Sequence, residues 1–79
     1  MYVYLLKSQN DLSKRYIGVT ADIKRRLSEH NAGKSQHTAK YSPWKVVVAV
    51  WFDDKSKAVA FEKYLKIGSG HAFSNRHFW

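Results

Sequence analysis

Two tyrosine-rich tripeptides, YVY at residues 2–4 and YIG at 16–18, are followed by RRLSEH at 25–30 and FEKYLK at 61–66. These stretches hold the side chains with most chemical potential: Tyr4, Tyr16, Arg26, His30 and Glu62. An arginine carries a permanent, planar charge suited to oxyanions. A histidine changes protonation near neutral pH. A helical glutamate beside apolar surface can present its oxygens to a divalent cation. Each residue also has an ordinary reading. Arg26 can lay its stem over the core with its head in water. His30 can be a cation at a helix C-terminus, and Glu62 an i, i+4 partner of Lys66. Most strand tyrosines pack with a satisfied hydroxyl. Gly18 is less ordinary, because glycine inside a strand often marks a close approach of backbone or ligand.

The elements that must position these groups follow from periodicity. YVYLL (2–6) and RYIGV (15–19) read as strands joined by a polar hairpin loop. Thr20 is placed as the N-cap of a first helix, with Asp22 in its first turn; the helix runs to about His30 and stops at Asn31 and Gly33. At about 100° per residue, Ile23, Leu27 and His30 share its packing face, with Arg26 on the edge and Lys24, Arg25, Ser28 and Glu29 pointing away. Residues 32–43 read as a polar loop. WKVVVAVWF (44–52) is a continuous apolar run, predicted to be the central strand, buried on both faces. Asp53, Asp54 and Ser56 offer caps for a second helix running to Ile67 and closed by Gly68, with Phe61 and Leu65 inward and Glu62 beside them. A short third helix spans roughly Ala72 to His77. The order ββαβαα predicts an α+β fold, a small three-stranded, mostly antiparallel sheet flanked by helices.

Composition narrows the function classes. A chain of 79 residues without internal repeats is expected to form one domain, residues 1–79, with a small core. Without cysteine, disulfides, a thiolate zinc site and a cysteine nucleophile are excluded. No apolar run approaches the roughly 18 residues of a membrane span, and the opening MYVYLLK lacks the charge order of a signal peptide, so a cytoplasmic location is expected. The formal charge is +8, and residues 14–45 hold eight basic residues against Asp22 and Glu29. Such asymmetry suits a polyanion, because each neutralised phosphate releases counterions.

Taken together and in order, these stretches resemble the GIY-YIG nuclease superfamily, in particular its compact stand-alone bacterial members. YVY stands where the first signature tripeptide would be and YIG matches the second; Arg26, His30 and Glu62 follow at the family's spacing, and FEKYLKIGSGHAF extends the likeness over nearly the whole chain. The first tripeptide departs from the pattern in carrying Tyr2 instead of glycine. The resemblance implies a GIY-YIG-type endonuclease hydrolysing phosphodiester bonds in DNA, in repair or recombination. One divalent ion, Mg²⁺ or Mn²⁺, is implied on Glu62, with Arg26 on the phosphoryl oxygens. Tyr4 and Tyr16 would orient the water, one of them as general base, and His30 would hold a tyrosine hydroxyl or take its proton. Because a phenol ionises near pH 10, the base needs the metal, Arg26 or Lys14 beside it. Lys14, Lys24, Arg25, Lys34 and Lys40 would track the nucleic-acid backbone. Asn75 and His37 are further candidates for the site. Glu62 is expected to face Tyr4, Tyr16 and Arg26 across one solvent-open cavity.

The competing expectation is a non-enzymatic, basic nucleic-acid-binding module that retains the fold. These residues do not distinguish RNA from DNA. With so short a chain, substrate specificity is expected to come from a protein partner, and no membrane partner is implied.

Overall fold

The computed structural model describes all residues, 1–79. Strands β1 (Tyr2–Ser8) and β2 (Arg15–Thr20) lead into helix α1 (Ile23–Asn31); a 3-10 turn at Ala39–Tyr41 precedes strand β3 (Trp44–Trp51), and helices α2 (Lys55–Leu65) and α3 (Gly68–His77) complete the chain. The sheet order is β2-β1-β3, with both pairings antiparallel. The α+β class and the order ββαβαα are as expected.

The strand at the centre is β1, which corrects the expectation for WKVVVAVWF. Side chains alternate along β1, so Val3 and Leu5 enter one cluster with Ala58 and Leu65, while Tyr4 and Leu6 enter another with Trp44. The first cluster is closed by α2 and the second by α1, whose Ile23 and Leu27 pack there. The sheet therefore has helices on both faces, and even its edge strand touches two apolar layers. That is why β3 is apolar but for Lys45 without being central. Of β3 only Trp44 is buried, and Trp51 is 58% exposed against Tyr2. A bulge opposite Leu5–Leu6 inserts Val47, so Val48 and Val46 fall in opposite clusters although they are two residues apart.

Helix ends differ in detail from expectation. The N-cap of α1 is Asp22, whose carboxylate accepts the Arg25 N–H at 3.1 Å; Thr20 instead accepts the Asp22 N–H at 3.2 Å and shapes the turn before the helix. At the other end Gly33, with φ +76°, closes a Schellman motif in which Gly33 N–H bonds His30 C=O and Lys34 N–H bonds Glu29 C=O. Asn31 is the last helical residue, and its amide brackets the Trp44 backbone, accepting from its N–H at 2.6 Å and donating to its C=O at 3.2 Å. Helix α2 is capped by Asp54 and ends at Leu65, two residues earlier than predicted. Gly68 opens α3 instead of merely closing α2, so the third helix starts four residues before Ala72. The reason is steric. A Cβ on Gly70 would come within 1.8 Å of the Tyr64 carbonyl oxygen, so the glycines let α3 pack directly against the end of α2.

Candidate active site

The site grows from the register of β1 and β2. Tyr4 lies opposite Gly18 and Leu6 opposite Tyr16. A Cβ at position 18 would sit 2.6 Å from the Tyr4 hydroxyl, 2.7 Å from its Cζ and 2.9 Å from Tyr16 Cε2. The glycine of YIG thus leaves space that the Tyr4 ring fills, which explains why a strand interior tolerates it. The two tyrosine rings stand 6.1 Å apart, and Tyr16 meets His30 edge-on at 4.9 Å.

His30 is fully buried and bonded at both nitrogens, through Nε2 to the Tyr4 hydroxyl at 3.0 Å and through Nδ1 to Thr38 Oγ1 at 2.6 Å. Burial, and after it the charge of Arg26, hold its pKa below the ordinary 6.5, so the ring is neutral at pH 7 and carries one proton. Burial pushes the Tyr4 hydroxyl up to about 12, against the lowering pull of Arg26. Tyr4 therefore keeps its proton. Arg26 can only donate; with the Tyr4 proton turned to the lone pair of His30 Nε2, the ring proton lies on Nδ1 and Thr38 accepts it. Thr38 is itself 1% exposed, and its hydroxyl turns to the Ser35 carbonyl at 3.5 Å. The Thr38 carbonyl accepts Trp44 Nε1–H at 2.8 Å.

Arg26 brings its guanidinium beside the Tyr4 and Tyr16 hydroxyls, and its Nη1 bonds Glu29 Oε1 at 3.0 Å. Glu29 is thus not on the far side of α1 as expected, because i, i+3 spacing lets it reach the arginine. Glu29 first, then Tyr4, hold the Arg26 pKa above its ordinary value. One edge of the fork is taken by Glu29, and the group remains part-exposed, with side chains 31% accessible on both partners.

The structure thus gathers Tyr4, Tyr16, Arg26 and His30 on the α1 face. Glu62 comes from α2, whose packing side belongs to the opposite face. Its carboxylate bonds Lys66 Nζ at 2.8 Å. Helix α2 packs over Val3 and Leu5 while α1 packs over Tyr4 and Leu6, and neither of the two surface cavities is lined by Glu62. The physical reason is that β1 alternation sends α1 and α2 to different layers. The layers meet at the outer edge of β2, where Tyr16 and Lys66 line the same cavity of about 280 Å³.

No cluster of three or more His, Cys, Asp or Glu side chains exists to form a protein cage for a cation. Glu62 alone still fits a small hard ion, which binds through one or two carboxylates with retained waters and substrate phosphates.

Of the remaining candidates, Lys24, Arg25, Lys34 and Lys40 are exposed. Lys14 lies over the Tyr41 ring, 5.2 Å from its centre. His37 is exposed and takes no part in the cluster. Asn75 sits on α3, accepting from Arg15 Nη1 at 2.8 Å and meeting His71 Nε2 at 3.2 Å. Thr38 was not anticipated. It lies in SQHTAKY, which has no periodicity, and only the path of the loop under His30 reveals it.

A family profile described as the GIY-YIG catalytic domain matches residues 1–72. The chain is 38% identical over 66 residues to a protein of Streptococcus pneumoniae named UPF0213 protein, covering 82% of this chain and 65% of that one. It is 40% identical over 82 aligned positions to the structure-specific endonuclease subunit SLX1 of Candida dubliniensis, covering 95% of this chain and 27% of the relative. A homolog of that subunit in Drosophila mojavensis is 42% identical over 69 positions, with 76% and 23% covered. The chain therefore spans about two thirds of the small bacterial relative and about a quarter of the endonuclease subunits. No solved structure matches. With the YIG glycine seated against Tyr4, and Arg26 and His30 converging on that tyrosine from α1, the chain belongs to the GIY-YIG family.

Proposed function

We propose that this chain is a metal-dependent endonuclease that hydrolyses phosphodiester bonds in DNA, in the cytoplasm, during repair or recombination. The observation that carries the reading is the buried chain Tyr4–His30–Thr38, topped by a part-exposed arginine on a basic face. A packing role alone does not require a neutral histidine with both nitrogens engaged beneath a guanidinium.

In this reading Arg26 binds a non-bridging phosphoryl oxygen with the edge of its fork that Glu29 leaves open. Tyr16, the less buried tyrosine, holds the attacking water in line with the leaving 3′ oxygen. As the water oxygen bonds phosphorus, its proton passes to the Tyr4 oxygen while the Tyr4 proton passes to His30 Nε2. The P–O3′ bond then breaks and the leaving oxygen is protonated from solvent. This concerted path needs no free phenolate, which suits a hydroxyl pushed up to about 12. Glu62 would hold the divalent ion, Mg²⁺ or Mn²⁺, which when bound supplies charge for the phosphate and the leaving oxygen. Lys24, Arg25, Lys34 and Lys40 would follow the strand, and Lys14 would add to their field from over Tyr41. Relatives named as endonuclease subunits support a protein partner that supplies structure selectivity.

A second reading, a non-enzymatic binding module, draws on one observation: Glu62 is paired with Lys66 and carried in the other layer. Plasmid nicking in Mg²⁺ or Mn²⁺ decides between the two. The enzyme reading expects wild type to nick while Glu62→Gln binds DNA equally and does not nick. Equal background from both proteins would establish the binding module.

A further inference from the structure

The cavity at the outer edge of β2 lies outside the Tyr4–His30–Thr38 chain but touches it through Tyr16. Its wall is formed by Arg15, Tyr16, Lys66, His71 and Trp79 over the apolar floor of Leu65. Arg15 is unusual there. An exposed arginine normally samples many rotamers, and fixing one costs side-chain entropy. This one is fixed twice, by the Asn75 Oδ1 bond at 2.8 Å and by stacking on the Trp79 ring, 4.9 Å from guanidinium carbon to centroid. Asn75 is in turn held by His71 Nε2 at 3.2 Å.

The partners that fix Arg15 are all neutral. The molecule has two side-chain ion pairs, Arg26–Glu29 and Lys66–Glu62, and neither involves Arg15. A guanidinium has five N–H donors, of which one is used. The result is a cation aimed in advance at a concave site and left without a side-chain carboxylate partner. Lys66 adds a second positive group across the cavity, 47% exposed and shared only with Glu62. At about 280 Å³ the cavity has room for one sugar-phosphate unit between two aromatic rims, and not for a base pair.

We infer that this cavity is a subsite for the phosphate of the nucleotide next to the scissile bond, bound by Arg15 and Lys66. Asn75 is a positioning residue that presets the arginine. The inference rests on the endonuclease reading for the identity of the strand, since Tyr16 is common to both places and puts the occupant one step along the backbone from Arg26. Arg15 touches a phosphate that does not react, so its contribution is to binding. Its loss raises KM and leaves kcat unchanged.

The test uses a fluorescein-labelled splayed DNA duplex, followed by anisotropy without divalent metal over a salt series. Arg15→Gln is expected to weaken binding about 5- to 20-fold and to reduce the slope of log K against log salt by about 0.7–0.9, the value for one phosphate contact. Asn75→Asp is close in shape but gives Arg15 a carboxylate that competes with phosphate, so it should reproduce most of that loss. Lys57→Gln, an equal charge change on the exposed start of α2, should change the affinity less than 2-fold. Equal effects of Arg15→Gln and Lys57→Gln, or an unaltered affinity in Asn75→Asp, would overturn the subsite. The binding readout separates this outcome from failure of the enzyme reading: an Arg15-dependent slope in a protein that never nicks DNA would keep the subsite and discard the activity. Nicking with no Arg15-dependent slope would do the reverse.

Discussion

Replacing Gly18 by alanine tests the steric basis of the site most directly. The backbone at Gly18 is not left-handed, since the positive-φ glycines are Gly33 and Gly68, so alanine is conformationally allowed. The obstacle is the Tyr4 ring. Ordinary contact begins near 3.4 Å, and the new Cβ would lie 2.6 Å from the hydroxyl oxygen, so the ring must retreat by about 0.8 Å. Tyr4 is 2% exposed, so the buried ring has no free space to retreat into, and the expected outcome is disruption of its 3.0 Å bond to His30. Overpacking a tight site costs about 1–3 kcal/mol. An unpaired, buried histidine nitrogen adds about 1–3 kcal/mol. The reduced freedom of the unfolded chain returns about 0.4–1 kcal/mol. At the middle of these ranges the balance is a loss of about 3 kcal/mol, which for a domain of this size corresponds to a fall in Tm of about 12–24 °C. Circular dichroism melts of wild type, Gly18→Ala, Tyr4→Leu and the double variant measure it. Leucine lacks the ring atoms that meet the new methyl, so the second substitution should relieve the first, with a coupling of about 1–3 kcal/mol. A Gly18→Ala melt within 3 °C of wild type, or strict additivity in the cycle, would refute the reasoning.

Thr38→Val removes the acceptor of the His30 Nδ1–H while preserving shape. It should cost about 1–3 kcal/mol in urea titrations and depress nicking, with Thr38→Ser restoring most of both; a valine variant as active as wild type would remove Thr38 from the site. The pH dependence has two limbs with defined signs. His30 is held below 6.5 in the fold, so the unfolded chain takes up a proton first as pH falls, and stability should decline from about pH 6.5 downward, more gently in His30→Asn. Tyr4 is raised from 10.0 to about 12, so its stabilisation is complete below pH 10 and is lost as pH climbs from 10 to 12, a decline that Tyr4→Phe should blunt in melts at those pH values.

Part of this site was legible because the strand and helix periods place residues within each element. Alternation fixes the face of Tyr4 within β1, the β1–β2 register brings Tyr16 to the same face, and the helical repeat puts Arg26 and His30 together beside the core. The order of elements likewise follows from runs of β-branched residues and the glycines and caps between them. What alternation cannot give is the sheet order. The apolar run of β3 reflects two covered faces, which an edge strand and a central strand share when helices lie on both sides. Thr38 was hidden for a related reason. Its burial comes from a loop crossing beneath α1, fixed by Asn31 gripping Trp44, and no local pattern encodes that crossing. Asp22 displaced Thr20 as the N-cap because both are good caps two residues apart and Thr20 is still within β2.

The placement of Glu62 has the largest consequence for mechanism. Helical spacing correctly puts it next to an apolar stripe, yet that stripe faces Val3 and Leu5, across the sheet from Tyr4. In the proposed mechanism the carboxylate acts on a phosphate bound by Arg26 where the strand crosses the exposed edge of β2, at the cavity that Tyr16 and Lys66 both line. An edge strand is then a requirement of the chemistry, because a further strand paired to β2 would bury the crossing. It also gives Lys66 a part to play. Lys66 pairs with Glu62 in the free protein, and in the proposed mechanism a phosphate entering the cavity would compete for the same ammonium and leave the carboxylate oxygens free for a cation. Cation affinity measured with and without DNA should therefore differ in wild type, and the difference should shrink in Lys66→Met. A cation affinity unmoved by DNA in wild type would mean that Glu62 and the tyrosine cluster do not act on a common phosphate.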